Sequence, residues 1–275
     1  MEIGKYNTLS IARKTDHGLY LQDEDENEVL LPNKYVPHDF KLGEKLEVFI
    51  YLDGEQRPIA TTLKPKAIAG DFAWLQVKHL SKVGAFLDWG LEKDLLVPFA
   101  EQEQRMQEGD FYVVYVFVDE ISERLVASSR VEDYTEKEDI SLPVDQEVDL
   151  LIARQTDLGY TAIIDNRYLG LLYANEVFKK IRTGQRLRGF VKKVRDDGKI
   201  DLSLEKQGYA SVEPNAQKIL EILARNNGFL PLHDKSDPDE IKRRLEMSKK
   251  TFKKAIGGLY KEKRITITEN GIRLN

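Results

Sequence analysis

The 275-residue sequence contains no cysteine. Disulfides, thiol nucleophiles and cysteine-based metal sites are thereby excluded, and a reducing compartment fits. Histidine is scarce: His17, His38, His79 and His233 are scattered without metal-ligand spacing. No run approaches the roughly 18 apolar residues of a membrane span, so no membrane attachment is expected. The N-terminus "MEIGKYNTLS" lacks a basic segment followed by an apolar run, so it does not read as a secretory signal. A cytoplasmic protein is expected. The phosphate-loop pattern, the G-x-S-x-G elbow and a metal-binding histidine pair are all missing. The acid pair Asp196-Asp197 lies in "RDDGK", where Asp and Gly form turns. No enzyme activity, cofactor, metal or small-molecule substrate is expected.

What is present is charge, and it is unevenly spread. Residues 1–146 carry 16 basic against 29 acidic side chains, a net of −13. Residues 147–206 carry 12 against 9, or +3, and residues 207–275 carry 14 against 9, or +5. A polyanion is attracted to the second half and repelled by the first.

The chain also repeats itself. "KTDHGLYLQ", "LSKVGAFLD" and "QTDLGYTAI" align on Gly18, Gly84 and Gly159. A second glycine follows 25 residues later each time, at Gly43, Gly109 and Gly184. Between them sits a short apolar element, at Leu30–Pro32, Leu96–Pro98 and Leu171–Tyr173. Each repeat closes on a basic residue and a β-run, from Arg57, Arg124 and Lys199. Glycine suits reversals between strands, but a gap repeated three times points to one fold copied. Segments such as "EKLEVFIYL" and "FYVVYVFV" have the β-branched and aromatic content of strands. About five short strands in some 60 residues predict a small closed barrel.

The second repeat resembles the S-one RNA-binding domain, a five-stranded OB barrel. The family pattern runs roughly G-A-F-V, G-L-V-H, G-D-x-V-x-V, R-I-x-L-S. Here it reads "VGAFLDWGLEKDLLVPFAE", "EGDFYVVYVFVDE" and "RLVASS", with Pro98 in place of the histidine. Repeats one and three are divergent copies. The final segment is different: "NAQKILEILARNNG", "SDPDEIKRRLEM" and "SKKTFKKAIGGLYKEKR" have helical periodicity and helix start signals, with Ser248 as a cap. "ITITENGIRL" reads as a hairpin turning on Asn270-Gly271. Three helices and a hairpin predict a winged helix-turn-helix.

The expected fold is therefore mainly β with a C-terminal α+β module: tandem five-stranded OB-fold barrels, then a winged helix-turn-helix. The expected boundaries are 1–65, 66–134, an acidic linker at 135–146, 147–208, and 215–275. The whole chain resembles the conserved virulence factor B family of Gram-positive bacteria. That resemblance implies three S-one-type domains, a C-terminal winged helix, and an RNA-binding regulator without a known catalytic site.

The S-one resemblance also implies three ligand-facing aromatic positions on each barrel. The first holds Tyr20, Phe86 and Thr161; the second holds His17, Val83 and Leu158; the third holds Pro32, Pro98 and Tyr173. The basic closing position holds Arg57, Arg124 and Lys199. No repeat keeps the full set. Repeat three retains Tyr173 and adds Arg186, Arg188, Lys192, Lys193 and Arg195, while the last predicted helix adds Lys249, Lys250, Lys253, Lys254 and Lys261. Because phosphate attraction supplies much of non-specific affinity, the main contact with single-stranded RNA is expected on repeat three and the winged helix. Each residue has a plainer reading: the lysines as a solvated face, Phe86 as barrel packing. Two other functions stay open. A duplex-DNA regulator would read bases with the winged helix, yet this helix has no Arg, Asn or Gln between Ser248 and Lys263. A protein-docking scaffold would instead use the acidic repeats.

Overall fold

The computed structural model describes residues 1–177, 180–204, 206 and 214–275. The chain divides into two compact units, Met1–Leu204 and Glu205–Asn275. Among the described residues the first unit holds three closed five-stranded barrels. Barrel one comprises β1 (Tyr6–Thr15), β2 (Gly18–Gln22), β3 (Glu28–Pro32), β4 (Lys45–Leu52) and β5 (Pro58–Thr61). Barrel two comprises β6 (Phe72–Leu80), β7 (Gly84–Asp88), β8 (Leu95–Pro98), β9 (Phe111–Val118) and β10 (Leu125–Ser128). Barrel three comprises β11 (Glu147–Thr156), β12 (Gly159–Ile164), β13 (Tyr168–Tyr173), β14 (Arg186–Val194) and β15 (Ile200–Ser203). In each, the fifth strand lies between the third and the fourth, and it pairs parallel with the third.

The two repeated glycines have separate physical reasons. At Gly18, Gly84 and Gly159 a Cβ would lie 2.0–2.1 Å from the carbonyl oxygen of Leu31, Val97 and Leu172 respectively. The neighbouring strand passes where a side chain would be, so only glycine fits. Gly43, Gly109 and Gly184 have φ near +80°. Their amides donate to the carbonyls of Ile11, Val77 and Ile152 at 2.8–2.9 Å. Those acceptors begin the β-bulges that shift the register by Arg13, His79 and Arg154. The bulge bends the long first strand so that it pairs with both neighbours and closes the barrel.

Barrels two and three share an apolar seam of Phe72, Val113, Val131, Leu151, Ala153 and Ile163. Trp74 stacks on Phe111 at the edge of this seam. Barrels one and two also share a core, in which Phe49 and Tyr51 of β4 pack with Trp89, Leu91 and Leu95. Trp89 is buried there and its Nε1 donates to the carbonyl of Lys93 (2.6 Å). Residues 135–146, expected as a linker, run along barrel three: Ile140 and Leu142 pack on its core, and Glu136 pairs with Arg167 (2.6 Å). The expected end of repeat three, at 208, lies outside the described residues.

The second unit has helices α1 (Pro214–Arg225), α2 (Pro238–Leu245) and α3 (Lys249–Lys261) and strands β16 (Phe229–Leu230), β17 (Ile265–Thr268) and β18 (Gly271–Leu274). Asp237 caps α2 by accepting from the amides of Asp239 and Glu240, and Ser248 caps α3 by accepting from that of Thr251. Ile219, Leu223, Ile241, Leu245, Phe252, Ile256 and Leu259 form the core. The hairpin differs in one respect from the sequence reading. Thr268 pairs with Gly271, so the loop is Glu269-Asn270 and Gly271 opens β18. The short strand β16 is the reason. It pairs with β18, and a Cβ on Gly271 would lie 2.3 Å from the carbonyl oxygen of Leu230. Two residues were too short a run to announce a strand.

Candidate nucleic-acid interface

The register confirms the internal alignment on which the ligand-facing positions rest. Gly18 pairs with Pro32, Gly84 with Pro98, and Gly159 with Tyr173. Tyr20 and Phe86 are half-buried on the outside of their barrels, between buried neighbours that fill the cores, and Thr161 is half-buried between the half-buried Tyr160 and the buried Ala162. Strand alternation therefore puts the first and third positions on one outer face, and Arg124 and Lys199 border the same hollows as Phe86 and Tyr173.

On barrel three this face is an open groove of about 690 Å³. Tyr173, Arg195 and Lys199 line it, with Leu158 and Thr161. Arg195 forms a bidentate ion pair with the Asp201 carboxylate, donating through Nε (3.0 Å) and a terminal nitrogen (2.8 Å). The same guanidinium donates to the Tyr173 hydroxyl, which donates to Asp201 (3.3 Å). Arg195 stands 6.0 Å from the Tyr173 ring centroid. The Asp201 carboxylate raises the Arg195 pKa above its ordinary value. Lys199 pairs with Asp197 (3.1 Å). Glu132, Glu136 and Asp157 also border the groove, so it is mixed in charge rather than purely cationic.

The remaining cations of repeat three lie elsewhere on the barrel. Arg186 donates to the carbonyl of Phe72 across the seam (2.9 Å). Arg188 pairs with Asp149 (3.1 Å), Lys192 with Glu176, and Lys193 is exposed. One run of sequence thus spreads its charges along a strand instead of gathering them.

On the other two barrels the face is altered. Tyr20 is covered by the Arg13 guanidinium, 3.8 Å from its ring centroid, and Arg13 is held by Glu28. Arg57 pairs with Asp53 and Glu55 within its own hairpin. Phe86 stacks on His79 (4.6 Å, 11° between planes). Phe86 and Arg124 line a smaller hollow of about 260 Å³, closed on one side by Tyr51, Leu52 and Gly54 of barrel one.

In the winged helix, α3 turns Phe252, Ala255, Ile256 and Leu259 inward. Lys250, Lys253, Lys254 and Lys261 are exposed on the opposite side, and Tyr260 is 56% exposed beside them. Lys249 is half-buried, its ammonium 3.4 Å from the Lys235 carbonyl.

The sequence reading missed several groove residues. Asp201 was legible in principle, because alternation along "KIDLSL" puts it on the outer face. Glu132, Glu136, and the Tyr51–Gly54 hairpin at barrel two carried no local signal. They arrive from other parts of the fold.

Comparison with known proteins agrees with this architecture. The S1 domain family matches residues 3–63 and 69–130, which are barrels one and two. The CvfB-like winged helix domain family matches residues 217–274. An uncharacterized protein, YitL, of Bacillus subtilis is 32% identical over 98% of this chain and 93% of its own length. Conserved virulence factor B of Staphylococcus aureus is 28% identical over 86% of this chain and 81% of its own. The chain belongs to the conserved virulence factor B family. A crystal structure of a multidomain protein with nucleic acid binding domains from Streptococcus pneumoniae is 26% identical and covers 99% of this chain and 98% of its own, with a TM-score of 0.43. Within the family frame, barrel one is recognisable as an S1 domain in its own right, although its motif residues looked divergent against those of barrel two.

Proposed function

We propose that this member of the family binds single-stranded RNA and regulates gene expression after transcription. It engages RNA through the outer groove of barrel three and the basic face of α3. The observation that carries the reading is the open groove around Tyr173, with Arg195 and Lys199 in its wall, on the face where S1-type barrels take their ligand. A half-buried ring beside cations suits an unstacked base next to its phosphate. The carboxylates in the groove lower its share of phosphate attraction, so the exposed lysines of α3 supply most of the salt-dependent part. Control of virulence genes, as in the name of the staphylococcal relatives, is one such regulatory role.

The test is a pair of titrations at equal length and salt, one with single-stranded RNA and one with duplex DNA. The single strand is expected to bind more tightly. Tighter binding of the duplex would instead favour a transcription regulator that docks α3 in the major groove.

A further inference from the structure

In each barrel the residue at the bulge of the first strand pairs across the ladder with the first of the ligand-facing positions. Arg13 pairs with Tyr20, His79 with Phe86, and Arg154 with Thr161. Residues directly opposite in an antiparallel pair share a face and reach one another. What the bulge residue does on that face differs from barrel to barrel.

On barrel one it lies on the ring. The Arg13 guanidinium is 3.8 Å from the Tyr20 ring centroid, where a stacked base would sit. Glu28 holds it there, accepting from Nε (3.1 Å) and from a terminal nitrogen (2.6 Å). These hydrogen bonds raise the Arg13 pKa and lower that of Glu28. On barrel two an imidazole takes the same place: His79 lies nearly parallel to Phe86 at 4.6 Å, with Nδ1 3.7 Å from Asp94. On barrel three Arg154 is drawn the other way. Glu103 and Glu132, both from the barrel-two stretch of the chain, hold its guanidinium. The groove around Thr161 and Tyr173 is lined without it.

A planar cation and a base gain comparable free energy on the same aromatic face. A base arriving at Tyr20 therefore gives up about as much as it gains, and it must also break the pair with Glu28. We infer that the bulge residue decides which barrel takes RNA: Arg13, locked by Glu28, closes the stacking face of barrel one, and the withdrawal of Arg154 leaves that of barrel three open. This rests on the reading of the protein as a binder of single-stranded RNA.

The experiment is ultraviolet crosslinking of the full chain to a uridine-rich single-stranded RNA. Linked residues are located by mass spectrometry, and affinity is measured on the same samples. The wild type is expected to crosslink at Tyr173 and not at Tyr20. Arg13→Ala should add a crosslink at Tyr20 and tighten binding about tenfold. The sign separates two roles, because an arginine that only attracts phosphate weakens binding when it is removed. Glu28→Gln, which keeps the shape of the side chain, should add the same crosslink to a smaller extent. Arg13→Ala combined with Tyr20→Leu should lose the gain. The Arg13 side chain is 50% exposed, so its removal leaves the barrel core intact. A crosslink at Tyr20 in the wild type, or unchanged or weaker binding by Arg13→Ala, would overturn the proposal while leaving the groove of barrel three in place. Silence at both Tyr173 and Tyr20 in every form would instead sink the RNA reading, and the proposal with it.

Discussion

At the residue scale, the three barrels show how one position acquires three environments. The third aromatic position is Pro32, Pro98 and Tyr173, and each pairs with the glycine that opens the second strand. Tyr173 alone of the three brings an aromatic ring, and its hydroxyl joins Arg195 to Asp201. Base–aromatic stacking contributes about 1–3 kcal/mol by alanine substitution. Tyr173→Ala should therefore lower affinity for single-stranded RNA about tenfold, since about 1.4 kcal/mol is a factor of ten. Tyr173→Phe should lose little, because Arg195 keeps both of its bonds to Asp201. The melting temperature should barely move in either variant, as the side chain stands on the outside of the barrel. A large fall in melting temperature with unchanged affinity per folded molecule would make Tyr173 a packing residue and refute the site.

At the scale of elements, α3 separates into an apolar side and a basic side. Phe252, Ala255, Ile256 and Leu259 recur at helical spacing and are buried, as amphipathicity requires. Lys250, Lys253 and Lys261 face solvent. Each lysine that meets a phosphate adds about 0.7 to the slope of log affinity against log salt for single strands. Replacing all three with alanine should flatten that slope by about 2 and weaken every sequence alike. Alanine is also the better helix former, so α3 should remain folded by circular dichroism. An unchanged slope would mean that the three lysines are only a solvated face. The basic strand β14 carries a different expectation, since Arg186 and Arg188 already have protein partners and have less to offer a phosphate.

At the scale of the whole chain, the two compact units should unfold separately. Barrels one and two share a core and barrels two and three share the Phe72–Leu151–Ile163 seam, which makes Met1–Leu204 one cooperative block. Scanning calorimetry is expected to show two transitions. Leu245→Ala empties a fully buried site in the winged helix, and large-to-small changes of this kind cost about 2–5 kcal/mol. It should lower one transition only, while Leu151→Ala at the seam should lower the other. Movement of both transitions by either variant would show that the units fold as one. The seam also bears on truncation. A cut at residue 146 would expose Phe72 and Val113, so a fragment ending there should associate or lose stability.

Local chemistry was enough to announce the barrels and the winged helix. Glycine at fixed spacing, strand alternation and helix caps are short-range constraints, and each acts within a few residues of where it is written. Gly84 must be glycine because the next strand passes at 2.1 Å from its would-be Cβ, and Ser248 must cap because α3 begins there. The outer positions Tyr20, Phe86 and Tyr173 followed from the S-one resemblance, carried across the repeats by the glycine spacing. Their surroundings did not. Whether an outer face is an open groove or a roofed hollow depends on which segment lies across it, and that segment comes from elsewhere in the chain: Tyr51–Gly54 over barrel two, Glu132–Lys137 beside barrel three. Charge behaved likewise. The net +3 of residues 147–206 is a sum, and a sum carries no position; strand geometry spread those cations over several faces and paired many with carboxylates. Periodicity is a property of neighbours along the chain, whereas a site is a property of neighbours in space, and only packing makes the second from the first.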